Sequence, residues 1–420
     1  MTARIYYTDP YCRRFDASVT RTFEHEGRPA VLLDRTAFYP TSGGQPFDVG
    51  RLRWAGEAGR AGGAGEVDVI DTVDVDDEIV HVLAAPLVEG ATVSGEIDWA
   101  RRFDHMQQHT GQHLLSAAFD RLFDNRTVSF HMGAELSTID LAREMSREQI
   151  ARAEDEANRI VWENREVAIR FVSSDEAAAL SLRKEPARTG VLRLIDVKDF
   201  DLSACGGTHV ARTGAIGAIV VPAAEKFKGG TRITFACGGR ALRVFRTLRE
   251  SMAGSVRALS VLPQELPAAI ERMQGDAKDL RRTIKKFQES LAAHEAARLV
   301  SEAGGAGAAG AAGGASVVIV DALDGWDANG LKMIAAELTQ HTSAAVALLS
   351  TASPFAVVIA RSRDVQVDAN AVLRALTDRF GGRGGGKSDL AQGGGLIGNI
   401  TDIRSAARDV LRGSARPSNP

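Results

Sequence analysis

The stretch "DHMQQHTGQHLLSAAFDRLF", residues 104–123, is where the chain changes character. Met106, His109, His113 and Leu114 recur at helical spacing, which predicts a helix that carries them on one side. Asp104 stands just ahead of the run and reads as the residue that caps it. His109 and His113 are separated by one helical turn, so both imidazoles reach a single point where one ion can bridge them.

Upstream of this helix the sequence reads as strands. "ARIYYTDPY", "ASVTRTFEHEGRPAVLLD", "EVDVIDTVDVDDEIVHVL" and "ATVSGEIDW" are short, β-branched and broken by turn residues. Over residues 1–100 that pattern predicts a small β-barrel. "AGEAGRAGGAG" (55–65) reads as a flexible insertion between two strands. Downstream, residues 101–240 combine the first helix with a second amphipathic one, "AREMSREQIARAEDEANRIVWEN". The strands "VAIRFVS", "VLRLIDVKDF", "AIGAIVVPAAEK" and "GTRITFACG" follow, which makes an α+β domain.

Residues 241–302 read as helical. Leu266, Ile270, Met273, Ala277, Leu280, Ile284, Phe287 and Leu291 step alternately by four and three, a heptad seam. Leu242, Phe245, Leu248, Met252, Val256 and Leu259 form an earlier stripe, with Pro263 and Pro267 between the two. A helical hairpin and a seam that pairs two copies of the chain both fit. Residues 303–315 are only Gly and Ala. Each Gly costs a helix about 1 kcal/mol relative to Ala, so this segment is expected to be a linker. Residues 316–420 run strand, helix, strand, strand, helix and predict a small α/β domain. It closes with "GGRGGGKSDLAQGGG" (381–395) and a last helix. The chain as a whole is expected to be multidomain α+β.

Bulk properties set limits. A chain of 420 residues with 25% charged and 44% hydrophobic residues has ordinary globular composition. It has no apolar run long enough for a membrane helix, and "MTARIYYTDPY" lacks a secretory pattern. Cys12, Cys205 and Cys237 are odd in number and far apart, which argues against a disulfide framework and fits a reducing cytoplasm. The formal net charge of −3 carries no global nucleic-acid signal. Any nucleic-acid partner must therefore meet locally arranged basic residues.

A second paired spacing lies in "DLSACGGTHV" (201–210), where Cys205 and His209 flank Gly206, Gly207 and Thr208. With His109 and His113 they make three nitrogens and one sulfur, a set suited to tetrahedral zinc. The two glycines offer free backbone dihedrals and close approach to a bound group. The ordinary alternative is two core or surface histidines and a small buried cysteine. The pattern is neither a zinc-finger spacing nor an HExxH helix: position 110 is Thr, so no general base is built in.

These residues carry a resemblance. "HTGQHLLS" with "CGGTHV" resembles the editing domain of alanyl-tRNA synthetase and its freestanding relatives, the AlaX proteins. "DRTAFYPTSGGQPFDVG" (34–50) is similar to that family's glycine-rich barrel motif, with Ser42 where glycine is frequent. "VSFHMGAELSTIDL" and "ANRIVWENREVAIRF" resemble its intervening segments, and "GGRGGGKSDLAQGGG" the carboxy-terminal domain of the synthetase. Nothing resembling the aminoacylation region precedes the barrel, so the chain resembles the long-form AlaX proteins.

The resemblance implies zinc held by His109, His113, Cys205 and His209. It implies a substrate loop with Gly43, Gly44 and Gln45, and Thr36 at the substrate's hydroxyl. The implied reaction is hydrolysis by water of the ester in alanine tRNA mischarged with serine or glycine. A second site of this kind can demand the hydroxyl that serine adds, and so reject alanine. Four protein ligands fill a tetrahedral site, which leaves open whether zinc activates water or positions the substrate. His105 and Gln112 lie near the ligands, in structural or pocket-shaping roles. In the glycine block, Arg383, Gly384, Gly385 and Lys387 are candidates for contact with tRNA backbone, against a reading as tight turns. Arg281, Arg282, Lys285 and Lys286 form a further basic cluster, for which a solvated helix face is the commoner explanation. Three rivals remain at this level. The first is a nucleic-acid-binding protein with purely structural zinc. The second is a phosphoesterase, whose "DHH" motif is missing from the sequence. The third is a threonyl-tRNA editing enzyme.

Overall fold

Period-two burial builds the first domain. In the strand Arg14–His25 the buried residues Phe15, Ala17 and Val19 alternate with exposed ones. The computed structural model describes residues 2–55, 64–183, 190–307 and 316–414, with side chains at 305–307 left aside. Six strands close a barrel in the order Arg14–His25, Arg28–Leu33, Glu78–Leu83, Gly65–Val75, Gly50–Trp54, Thr92–Ile97. All its pairings are antiparallel. Phe15, Val31, Leu52, Val69, Leu83 and Val93 fill it. Most of the segment read as a flexible insertion, residues 56–63, lies outside the described residues.

The helix read from residues 104–123 spans Trp99–Phe123. Its cap is Asp98, whose carboxylate accepts from the Arg101 amide at 3.1 Å. Asp104 is not the cap: it sits inside the helix, paired with Arg240. The second helix, Arg147–Trp162, starts on a Ser146–Gln149 capping box, so residues 142–145 of the quoted run precede it. A four-stranded antiparallel sheet is ordered Ile219–Phe227, Gly230–Cys237, Ser137–Leu141, Thr127–Met132. A three-stranded one is ordered Val167–Val172, Leu192–Val197, Asp201–Ala204. Met106, Leu114 and Phe119 of the first helix share one core with Ile139 and Phe235, with Ala157 and Ile160, and with Ile195 and Val197. That helix is therefore held by both sheets and the second helix at once.

One buried ion pair ties the helix to the barrel. Arg102 and Asp48 are both fully buried, with Arg102 Nε 2.9 Å from Asp48 Oδ2. Arg102 also donates to the carbonyls of Pro10 and Ala37, and Asp48 accepts from the Tyr39 amide at 2.7 Å.

The chain divides into two compact units, residues 1–258 and 259–420. In the second, a five-stranded sheet is ordered Val317–Leu323, Ala344–Ser350, Phe355–Arg361, Leu390–Leu396, Arg383–Gly386, with the first pair parallel and the others antiparallel. Every residue of Ala344–Ser350 is buried because both sheet faces are covered. Val346 and Leu348 pack with Leu331 and Ile334 of one helix, while Ala345 and Leu349 pack with Leu373 and Ile403 of two others. The long helix Leu266–Gly307 runs on into the Gly/Ala segment, and 308–315 lie outside the described residues. Its Ala292, Ala296 and Leu299 join this core, whereas Met273, Leu280, Ile284, Phe287 and Leu291 of the heptad stripe are exposed. The glycine block forms a hairpin at the sheet edge, with Arg383–Gly386 exposed throughout. Among the described residues no helix is long and apolar enough to cross a membrane.

Replacing Arg102 by Met leaves Asp48 buried without its partner, and a loss of about 3–5 kcal/mol is expected. Urea denaturation of the two proteins measures it; a loss within about 0.5 kcal/mol, the range of ordinary surface changes, would show that the pair does not anchor helix to barrel.

Candidate metal centre

The two paired spacings converge. The ligand atoms of His109, His113, Cys205 and His209 all lie within 4.8 Å of one another. Cys205 Sγ is 3.4 Å from His109 Nε2 and 3.3 Å from His209 Nε2. The imidazole centroids are 4.4–5.4 Å apart.

Each imidazole is held from behind by its other nitrogen. His109 Nδ1 donates to Gln45 Oε1 at 2.8 Å, and His113 Nδ1 to Asp201 Oδ2 at 2.9 Å. His209 Nδ1 donates to Thr110 Oγ1 at 3.2 Å, while that hydroxyl gives its own proton to the Met106 carbonyl. Three Nε2 lone pairs are thereby left facing the thiol. This is how outer partners orient ligating histidines and fix their tautomers. The donor set, three imidazoles and one thiolate, fits zinc.

The electrostatics agree. Burial pushes the Cys205 thiol up, yet His109 and His209 beside it bring it well below its ordinary value. Burial, together with neighbouring His109, drives His209 down to about 3, so it stays a neutral ligand. Burial opposes a charge on His113, but its hydrogen bond to Asp201 outweighs this and raises it. Asp201 is in turn gripped by Arg183 at 2.6 Å and by the Ser203 hydroxyl at 3.0 Å.

Local sequence explains the approach of the parts. A Cβ on Gly207 would lie 2.2 Å from His109 Cε1, so only glycine fits there. Gly206 is different: a Cβ would find only ordinary contact with Tyr7, and neither glycine has a positive φ. The expectation of unusual dihedrals at both positions is thus corrected to close packing at one. Gly111, between the two helical histidines, leaves room for Cys237, whose Sγ would be 2.3 Å from a Cβ.

The centre forms the floor of a cleft of about 690 Å³. His109, His113 and Cys205 line it, with Tyr39, Ser42, Gly43, Gln112 and Phe130 around them, while His209 stands behind. The Phe130 ring stacks on His109 at 5.5 Å. Of the expected substrate loop, Gly43 reaches the cleft, and Gln45 is fully buried as the support of His109. Gly44, at φ +86°, abuts Phe130. Thr36 does not line the cleft. It is fully buried; its hydroxyl accepts from the Phe38 amide at 3.0 Å and lies 2.8 Å from His81 Nε2. His105 is buried and lines a different cleft, and Gln112 donates to Ser116. Arg383, Gly384, Gly385 and Lys387 belong to the second unit's hairpin.

Sequence reading missed Asp201, Arg183 and Thr110. Asp201 opens the same stretch as Cys205, and its alternation with Ser203 along one strand was the available signal.

Comparison with known proteins places the chain. Residues 12–101 match a model described as tRNA synthetases class II (A), and residues 192–234 match the threonyl and alanyl tRNA synthetase second additional domain. Residues 314–413 match the DHHA1 domain. An alanine--tRNA ligase of Pyrococcus furiosus is 33% identical over 98% of this chain, and one of Halorubrum lacusprofundi 34% identical over 98%. The chain spans only 44% of each of those ligases. The C-Ala domain of the Aquifex aeolicus alanyl-tRNA synthetase is 26% identical over 23% of this chain and 93% of that one, with a TM-score of 0.22. The matched domains and ligases are those of the alanyl-tRNA synthetase lineage. A protein of Pyrococcus horikoshii named alanyl-tRNA editing protein AlaX-L is 32% identical and aligns over 94% of both chains. The chain belongs to this AlaX-L family of alanyl-tRNA editing proteins.

Asp201→Asn weakens the hold on His113, and zinc affinity is expected to fall about 10–100-fold. Gly207→Ala displaces His109 and should abolish stoichiometric binding. Titration against a chelating indicator measures both; wild-type affinity in either variant contradicts the assignment.

Proposed function

We propose that this chain hydrolyses the ester joining serine, and also glycine, to alanine tRNA, with zinc held by His109, His113, Cys205 and His209. The observation that carries the reading is the convergence of those four side chains beneath a cleft that His109, His113 and Cys205 line, with the outer nitrogens of the three imidazoles fixed by Gln45, Asp201 and Thr110. Membership of a family of alanyl-tRNA editing proteins supports the substrate class.

Bound zinc supplies a Lewis acid that polarises an ester carbonyl or lowers the pKa of a water. The protein's own residues do the rest. Gln45, Asp201 and Thr110 hold the imidazoles so that no reorganisation is needed when substrate arrives. Phe130 walls the cleft beside His109 and keeps bulk water from that side of the floor. Thr36 acts as a positioning residue: its hydroxyl holds the Phe38 amide, and so the chain leading to Tyr39 and Ser42 on the cleft wall. Water is the nucleophile.

In the second unit, Arg383, Gly384, Gly385 and Lys387 are proposed to meet tRNA backbone. Arg383–Gly386 forms an exposed edge strand without bulky side chains over its glycines, so a phosphate can approach the amides closely. The exposed heptad stripe from Met273 to Leu291 supports pairing of two copies. A thiolate ligand fits work in a reducing cytoplasm.

The test offers the protein seryl-, glycyl- and alanyl-charged alanine tRNA and follows amino acid release. Serine and glycine should be released and alanine spared; serine release no faster than in buffer ends the proposal. Cys205→Ala should lose zinc and serine release together. Arg383→Glu with Lys387→Glu should weaken tRNA binding without altering the choice between serine and alanine; an unchanged Kd removes the hairpin's proposed role.

A further inference from the structure

A second cleft, of about 440 Å³, lies beside the first helix. Pro46, Arg101, Asp104, His105, Arg240 and Arg243 line it. Ser42 and Gly43 wall the metal cleft, whereas Pro46 walls this one, so the glycine-rich loop separates the two. His105 is four residues, just over one helical turn, before His109, about 6 Å along the axis.

The charge in this cleft is uneven. Arg240 is spent on Asp104, with Nε and Nη2 at 2.9 and 2.6 Å from Oδ2, and on the Gly133 carbonyl. Arg101 uses only Nε, on the Phe47 carbonyl at 2.9 Å, and lies over the Phe47 ring. Its two terminal nitrogens have no partner among the described residues. Arg243 is exposed and makes no ion pair or side-chain hydrogen bond among the described residues. Two guanidinium groups thus face the cleft without a counter-charge.

The wall holds a second mark of a ligand. His105 is 4% exposed, and its Nδ1 has no hydrogen-bond partner. A buried polar atom left unpaired is uncommon, because its lost hydration is not replaced. Burial, with Arg101 and Arg240 beside it, drives His105 down to about 3. It is therefore neutral and offers hydrogen bonding rather than charge.

Free guanidinium forks match the paired oxygens of a phosphodiester. We infer that this cleft binds a backbone phosphate of the RNA whose aminoacylated end occupies the metal cleft, with Arg101 and Arg243 pairing the charge and His105 facing it from the wall. The inference rests on the proposed tRNA substrate for the identity of the RNA. It assigns the glycine-rich loop a phosphate on one side and the ester on the other.

The test uses the zinc-loaded full chain and an uncharged acceptor-stem minihelix of alanine tRNA, with fluorescence anisotropy over a range of salt concentrations. Arg243→Glu should weaken binding about tenfold and make the slope of log K against log salt shallower by about one unit. Arg243→Lys should keep the slope. Arg246→Glu, on the helix Gly238–Leu259 that also carries Arg243 but outside the cleft, should change Kd much less. Zinc content confirms that each variant is folded. An unchanged Kd and slope in Arg243→Glu overturns the inference, and so does an equal effect of Arg246→Glu. If Arg243→Glu weakens binding of inorganic phosphate but not of the minihelix, the cleft is a free-anion site and the RNA assignment falls. Because the minihelix carries no amino acid, a hydrolytically inactive protein that still shows the Arg243 effect would refute editing and leave this inference standing.

Discussion

The Gln45 amide is the joint on which the site depends. Its oxygen accepts from His109 Nδ1 and from the Thr208 amide, and its nitrogen donates to Thr208 Oγ1 at 2.8 Å. One buried side chain therefore links the barrel loop, the first helix and the loop that carries Cys205 and His209. Removing it strands at least two buried donors, each worth about 1–3 kcal/mol when unpaired. Gly43 and Gly44 just before it take positive φ values of 57° and 86°, and Phe130 leaves Gly44 no room for a side chain. The glycines thus aim Gln45 inward. Arg102 with Asp48 does the coarser work of holding barrel to helix.

Much of this was legible because the signals were periodic. His109 and His113 share a helical face, strands such as Arg14–His25 alternate, and Cys205 with His209 repeats the four-residue spacing. Where the reading failed, one residue type serves two jobs that look alike in sequence. Asp104 resembles a cap but neutralises Arg240, while Asp98 does the capping. Gly206 and Gly207 are adjacent and identical, yet only Gly207 has His109 against it. The partners of the Thr36 hydroxyl, the Phe38 amide and His81 Nε2, were equally invisible in the sequence. Asp201 and Arg183 stayed hidden because their role exists only once His113 lies beside them.

The second unit shows the same limit from the other side. Its buried strands announce themselves: "AAVALLS" is apolar up to its last residue, Ser350, because helices cover both faces of the sheet. Its edge does not. "GGRGGG" carries no propensity for a strand, and becomes one through pairing of Gly384 with Gly393 and Gly386 with Ala391. A Cβ on Gly384 or Gly386 would collide with the neighbouring strand's backbone, so a glycine run that reads as loop is in fact a packing requirement.

The Cys205 environment has a consequence for oxidation. Burial raises the thiols of Cys12 and Cys237, with Asp9 adding to the effect at Cys12, which keeps both unreactive. Cys205 is the opposite: half-buried, on the floor of a cleft, and lowered well below the ordinary thiol by His109 and His209 despite burial. Such a thiolate is the form that peroxides attack, giving a sulfenic acid and then irreversible products. A coordinated metal occupies that sulfur's lone pair. Were the proposed zinc lost, this thiolate would be open to an oxidation that rebinding the metal could not repair, and the cluster would age through a single sulfur atom.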